Sequence, residues 1–328
     1  MSGLEQAPVL AERLRAFARR LIGGGLSGEL LTRLISGLND RLTASVIELT
    51  ARQHRLPPVE WCWLALGSEG RYEQTLVGDQ DNGLIFSATD DREAEALRAL
   101  FLPFAGEVNR QLAACGFTLC PGKIMAGNPA WCLSADEWRG QFVEWVRRPE
   151  PGALLNASIF FDLRPLYGHL ELGEQLRSLL LALTVDTPAF LHLMAANALQ
   201  AQVPLGFLGE VTTEGGKSGE GLDLKKYGSR LFVDAARILA LAEGVRAVNT
   251  GERLRTAGRA AGLSESEVAA VDAAFSQILR LRLEHQLLGD AIHGVHPEQL
   301  HELDRAILRE SLKQARRIQQ RLKLNYAL

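Results

Sequence analysis

Two aspartates one residue apart, Asp79 and Asp81, lead into the apolar run NGLIFS at 82–87, and a Gly-Ser pair, Gly67 and Ser68, closes the apolar run WLAL just upstream. Side chains alternate with period two on an extended segment, so Asp79 and Asp81 point to the same side. Two convergent carboxylates make a hard-oxygen site suited to Mg²⁺. Gly67 lets the backbone approach a ligand closely, and the amides that follow can cradle phosphate oxygens. Each pair alone is as readily explained by a surface turn; the two together suit a polyphosphate and its divalent cation.

The elements around them must hold these groups in place. Residues 27–52 carry apolar side chains at Leu31, Leu34, Ile35, Leu38, Leu42, Val46 and Leu49, the stripe of an amphipathic helix. Leu56-Pro57-Pro58 ends it. Residues 61–66 read as a buried strand, 67–78 as a polar loop, and 82–87 as a second strand. Asp90 with Glu93 opens a helix over 90–115, which Pro103 should kink or interrupt. Further strands are expected at 117–119 and at 159–163 (IFFDL), with a Ser134/Glu137-capped helix between them. Beyond Tyr167 the pattern is helix after helix, at 172–183, 188–202, 230–242, 265–287 with a Ser264/Glu267 capping box, and 301–322.

The composition bounds the class. The chain has 328 residues, 47% hydrophobic and 23% charged, with 36 basic against 39 acidic residues and a formal net charge of −3. That is ample for a packed core of about two domains and gives no electrostatic footprint for general duplex binding. Cys62, Cys115, Cys120 and Cys132 show no C-x-x-C pairing, so a reducing cytoplasm is the expected compartment. Charged residues interrupt the first twenty positions, and no apolar run approaches the ~20 residues of a membrane span, so neither secretion nor insertion is expected.

The segment GSEGRYEQTLVGDQDNGLI, residues 67–85, resembles the DNA polymerase β-like nucleotidyltransferase superfamily. More narrowly, it is similar to a nucleotidyltransferase family often found beside cyclic-nucleotide-binding and CBS domains, itself similar to the uridylyltransferases of bacterial nitrogen-regulatory proteins. FFDLRPLYG (160–168), GKSGEGLDLKKYG (216–228) and LRLEHQ (281–286) extend the resemblance over most of the chain. Two positions depart from the family pattern, Tyr72 standing for a second arginine and Gly78 for a threonine. The resemblance implies an α+β fold: N-terminal helices over 1–54, a polymerase β-like nucleotidyltransferase domain over 55–168 with a small mixed sheet, and an all-helical substrate-binding domain over 169–328.

The expected reaction joins an NMP from an NTP to an acceptor, a regulatory protein being one, and releases pyrophosphate. Asp79, Asp81 and Asp162 would bind Mg²⁺ or Mn²⁺ as catalytic carboxylates. Asp162 sits in an apolar run where a lone charge is costly, and a salt bridge to Arg164 is its competing reading. Gly67, Ser68 and Arg71 would hold the triphosphate, with a solvent-facing loop arginine the alternative for Arg71. Lys217, Lys225 and Lys226 are candidate phosphate or substrate contacts, against a plain solvated pair. Glu69, Gln74 and Asn82 read as loop-ordering residues, and the tryptophans as core. Gly216-Lys217-Ser218 lacks the upstream glycine and strand of a P-loop, while His293, His296 and His301 are too loosely spaced for zinc. A non-catalytic nucleotide sensor is the rival function.

Overall fold

The computed structural model describes residues 3–207, 209–212, 221–289 and 294–328. Two compact units emerge, one of residues 1–20 and 33–183, the other of residues 21–32 and 184–328. The architecture is mixed α+β, as expected: a small sheet with helices, followed by helices alone.

In chain order the first part holds α1 (Ala7–Ile22), α2 (Gly28–Ala51), β1 (Trp61–Ala65), the single turn α3 (Gly67–Gly70), β2 (Asn82–Phe86), α4 (Asp91–Ala114), β3 (Cys132–Ser134), α5 (Ala135–Arg147), α6 (Pro151–Phe160), β4 (Arg164–Gly168) and α7 (Leu170–Val185). The strands lie in the order β3-β2-β1-β4. β1 runs antiparallel to both β2 and β4, and β2 runs parallel to β3. Cys62, Trp63, Leu64 and Ala65 of β1 and all of β2 are buried, which is why their sequences read as continuous apolar runs rather than as alternation.

One face of the sheet packs Trp63, Leu84 and Phe86 against Phe101, Phe104, Val108 and Leu112 of α4 and Val46 and Ile47 of α2. A second cluster gathers Trp131, Trp138, Phe142, Trp145 and Phe160, with Trp131 and Phe160 centroids 4.4 Å apart. Trp138 donates from Nε1 to the Leu84 carbonyl at 3.1 Å. The tryptophans therefore fill core, as expected. Asp90 caps α4 by accepting from the Glu93 amide, and Ser134 and Ser264 each form a reciprocal capping box with a glutamate three residues on.

Three local expectations are corrected. Residues 159–163 are not a strand: α6 ends at Phe160 and the strand begins at Arg164. The run ALLNASIF is mostly apolar, and its two polar residues, Asn156 and Ser158, fall two apart as in a strand, so its pattern does not mark a helix. Residues 117–119 form only an isolated parallel bridge, Thr118 with Asp79. Pro103 does not interrupt α4, which is helical from Asp91 to Ala114.

The second unit contains α8 (Pro188–Ala198), a π-turn at Lys225–Ser229, α9 (Arg230–Ala242), α10 (Thr250–Ala257), α11 (Glu265–Leu287) and α12 (Glu302–Tyr326). α9 is almost wholly buried, Leu231 through Leu241. No single helix among the described residues is long and apolar enough to cross a membrane. Cys62, Cys115, Cys120 and Cys132 are free thiols.

Candidate active site

β1 hands over directly to the Gly-Ser turn. The ladder pairs Ala65 with Asn82, and one step further the Leu66 amide donates to the Asp81 carbonyl at 2.9 Å. The chain then reverses at Gly67 with φ +52°. A Cβ there would stand 2.7 Å from Asp81 Oδ2, so glycine is required both by the left-handed backbone and by the carboxylate beside it. Gly70, one turn on, has no room either: its Cβ would fall 2.1 Å from the Asp162 carbonyl and 2.9 Å from that of Ala65.

The returning segment keeps the alternation expected from the sequence. Gln80 is 3% exposed. Its Nε2 donates to the carbonyls of Asn109 (3.0 Å) and Phe117 (3.1 Å), and its Oε1 accepts from Asn109 Nδ2 (2.9 Å). With Gln80 anchored inward, Asp79 and Asp81 on either side of it are half-buried. Asn82 accepts at Oδ1 from the Ala126 amide (2.8 Å) and from Asn109 Nδ2 (3.0 Å), and Gln74 accepts at Oε1 from Asn39 Nδ2 (3.2 Å). Both order the loops, as expected.

Asp162 and Arg71, expected in different roles, meet each other. Arg71 donates from Nη1 to Asp162 Oδ2 (2.6 Å) and from Nε to Glu73 Oε2 (2.7 Å). Side-chain exposure is 0% for Asp162, 3% for Glu73 and 12% for Arg71. A carboxylate this deep needs such a partner, and removing one side of a buried pair typically costs about 3–5 kcal/mol. Arg164 pairs instead with Asp40 Oδ1 at 2.9 Å. Among the described residues no three His, Cys, Asp or Glu side chains gather as a metal cluster. Asp79 and Asp81 are all-oxygen donors of the kind that a divalent cation takes, whereas Asp162 is engaged by Arg71.

Two family models match the chain, "Putative nucleotidyltransferase DUF294" over residues 12–152 and its "Putative nucleotidyltransferase substrate binding domain" over residues 188–326. The chain belongs to the DUF294 nucleotidyltransferase family. Comparison with curated proteins returns no match.

Within the DUF294 frame, Lys225 and Lys226 lie in the substrate-binding part, on the π-turn. Asp223 Oδ1 accepts from the backbone amides of Lys225 (2.7 Å) and Lys226 (3.1 Å), and Lys226 Nζ sits 4.4 Å from the centroid of the Tyr227 ring. Lys217, with Gly216 and Ser218, lies outside the described residues, as does His293. His301 caps α12, its Nδ1 accepting from the Leu303 amide at 3.3 Å, and His296 pairs with Glu298 at 3.3 Å.

Sequence reasoning missed a second charged group behind the turn. Glu69 is 6% exposed. Burial pushes its carboxyl up to about 8, the charges of Asp40 and Asp81 push the same way, and Arg164 opposes them. Burial likewise raises Asp40 against the pull of Arg164. Burial raises the Cys120 thiol, and the neighbouring Asp81 carboxylate adds to the shift. The signal for this group lay in α2: Ser36, Thr43 and Thr50 are buried, and with Asp40 they fall at helical spacing, a polar stripe beside the apolar one.

Proposed function

We propose that the nucleotidyltransferase domain moves an NMP from an NTP onto an acceptor held by the helical substrate-binding domain. An acceptor hydroxyl attacks the α-phosphorus, its oxygen forms the new P–O bond, and the bond to the β-bridging oxygen breaks, pyrophosphate leaving with the electron pair. The acceptor proton passes to a carboxylate or to water. The observation that carries this reading is Asp81 set against the Gly67 turn, with Gln80 locked inward between it and the half-buried Asp79.

Asp79 and Asp81 would hold Mg²⁺ or Mn²⁺, which when bound neutralises phosphate charge and polarises the reacting phosphoryl group. The backbone amides at Gly67 and Ser68 would cradle phosphate oxygens beside Asp81. Asp162 would complete the carboxylate set once Arg71 released it, and Arg71, so released, would turn its planar fork to the triphosphate. Lys217, Lys225 and Lys226 would supply cations toward phosphate or acceptor groups. A regulatory protein is the acceptor that suits a signalling role, and the unbridged cysteines suit the cytoplasm.

A non-catalytic nucleotide sensor is the second reading, favoured by the Arg71–Asp162 pair, which engages the carboxylate expected to complete the catalytic set. The deciding experiment measures pyrophosphate release from each of the four NTPs with Mg²⁺ or Mn²⁺, wild type beside Asp79→Asn, with cell extract as the source of acceptor. Release lost in the variant supports transfer and identifies the base. Metal-dependent NTP binding without release supports the sensor.

A further inference from the structure

The turn that follows β1 closes in the manner of a helix ending on a left-handed residue. The Glu73 amide donates to the Ser68 carbonyl (2.9 Å), and the Tyr72 amide donates to the Glu69 carbonyl (3.2 Å). The left-handed position belongs to Tyr72, at φ +59°. Glycine is the usual occupant there, because a Cβ is disfavoured and a bulky residue more so. An aromatic side chain held in that region needs a contact that offsets the strain.

Arg164 supplies it. Its guanidinium carbon lies 3.9 Å from the centroid of the Tyr72 ring, the geometry of a cation–π stack. Nη2 of the same guanidinium donates to Asp40 Oδ1 on α2 (2.9 Å) and to the Glu69 carbonyl of the turn (3.1 Å). Arg164 is 9% exposed, and its Nε has no hydrogen-bond partner among the described residues, so the face against Tyr72 is a principal contact of a buried cation. One arginine of β4 thus ties together α2, the Glu69 carbonyl of the turn and the ring that closes it.

We propose that Tyr72 and Arg164 are positioning residues, a stacked clamp that sets the Gly67–Ser68 turn in place for the phosphates of the incoming nucleotide. What the turn holds rests on the nucleotidyl-transfer reading; that the clamp sets the turn does not. A turn needed only to reverse the chain would be relieved by glycine at position 72. The clamp requires the ring.

Tyr72→Gly separates the two, because it removes backbone strain and the stack together. The turn is read without ligand, by amide hydrogen exchange over residues 67–73, and then by the dissociation constant for Mg²⁺·NTP. In Tyr72→Gly the melting temperature holds within a few degrees while exchange in the turn quickens and nucleotide binding weakens, each about tenfold, a stack of this kind being worth that factor. Tyr72→Phe, which keeps the ring, retains wild-type values. Arg164→Lys, which keeps the charge but loses the planar face and the Nη2 bonds to Asp40 and the Glu69 carbonyl, quickens turn exchange at least as much as Tyr72→Gly. Turn exchange unchanged in Tyr72→Gly, or quickened equally throughout the β1 and β2 peptides, overturns the proposal. Wild type is run in parallel for pyrophosphate release: metal-dependent NTP binding without release sinks the transfer reading, and a fully active Asp81→Asn sinks the metal role of Asp81, while the ligand-free exchange still decides the clamp.

Discussion

Glu69 is the residue whose chemistry is most displaced by its surroundings. Its carboxyl titrates at about 8 rather than 4.5, chiefly because it is buried and then because Asp40 and Asp81 stand near it. The unfolded chain ionises it near 4.5 while the folded protein keeps its proton until about 8. Its contribution to stability is therefore complete below the unfolded value, falls as pH rises from about 4.5 to 8, and is flat above that. Asp40, also raised, slopes the same way. Glu69→Gln should flatten this decline and make the protein more stable than wild type at pH 8 by on the order of a few kcal/mol, with little difference at pH 4. Urea unfolding at a series of pH values, with chelator present to keep Asp81 free of cations, measures it. Parallel curves for variant and wild type would assign the titration elsewhere.

At the scale of elements, α3 exists because its two glycines let three chain segments crowd together. Gly70→Ala would drive a methyl group into the carbonyls of Asp162 and Ala65, at 2.1 and 2.9 Å. Neither is a side chain that can swing away, so β4 must shift from β1 and the Arg71–Asp162 pair with it. A loss of at least about 3 kcal/mol in equilibrium unfolding is expected, the range of severe overpacking or a broken buried pair; a loss under 1 kcal/mol would mean that the strand slides without strain. The elements legible in the sequence share a local signal. α2 showed its apolar stripe, α4, α5 and α11 their capping residues, β1 and β2 their unbroken apolar runs, and α9 and α11 were bounded correctly at both ends. The misreadings share the lack of one. α6 has no amphipathic stripe, β4 begins Arg-Pro and looks unlike a strand, and β3 is only three residues long. The Asp79–Gln80–Asp81 alternation was legible because period two is local. The Arg71–Asp162 pair was not, because it joins residues 91 positions apart, a partnership that only the assembled β1–β4 register creates.

At the scale of the molecule, the candidate carboxylates, the Gly-Ser turn, the buried Glu69 and the Arg164 clamp all fall within residues 33–183, one compact unit. The matched substrate-binding domain, residues 188–326, falls within the other. On the proposed transfer reading the two substrates would fall on separate cores, each stabilised by its own burial, so a ligand that binds one core should protect that core's amides first. Hydrogen exchange with Mg²⁺ and a non-hydrolysable NTP should slow peptides covering residues 61–86, β1 through β2, before it slows those of α10 to α12. Asp81→Asn should lose that protection in the peptides covering residues 61–86. Protection confined to the helical unit would move the nucleotide, and with it the roles of Asp79 and Asp81, away from the turn. Protection in both units, abolished in both by Asp81→Asn, would instead show that nucleotide bound at the carboxylates stabilises the acceptor half as well, a coupling by which a sensor could work without turnover.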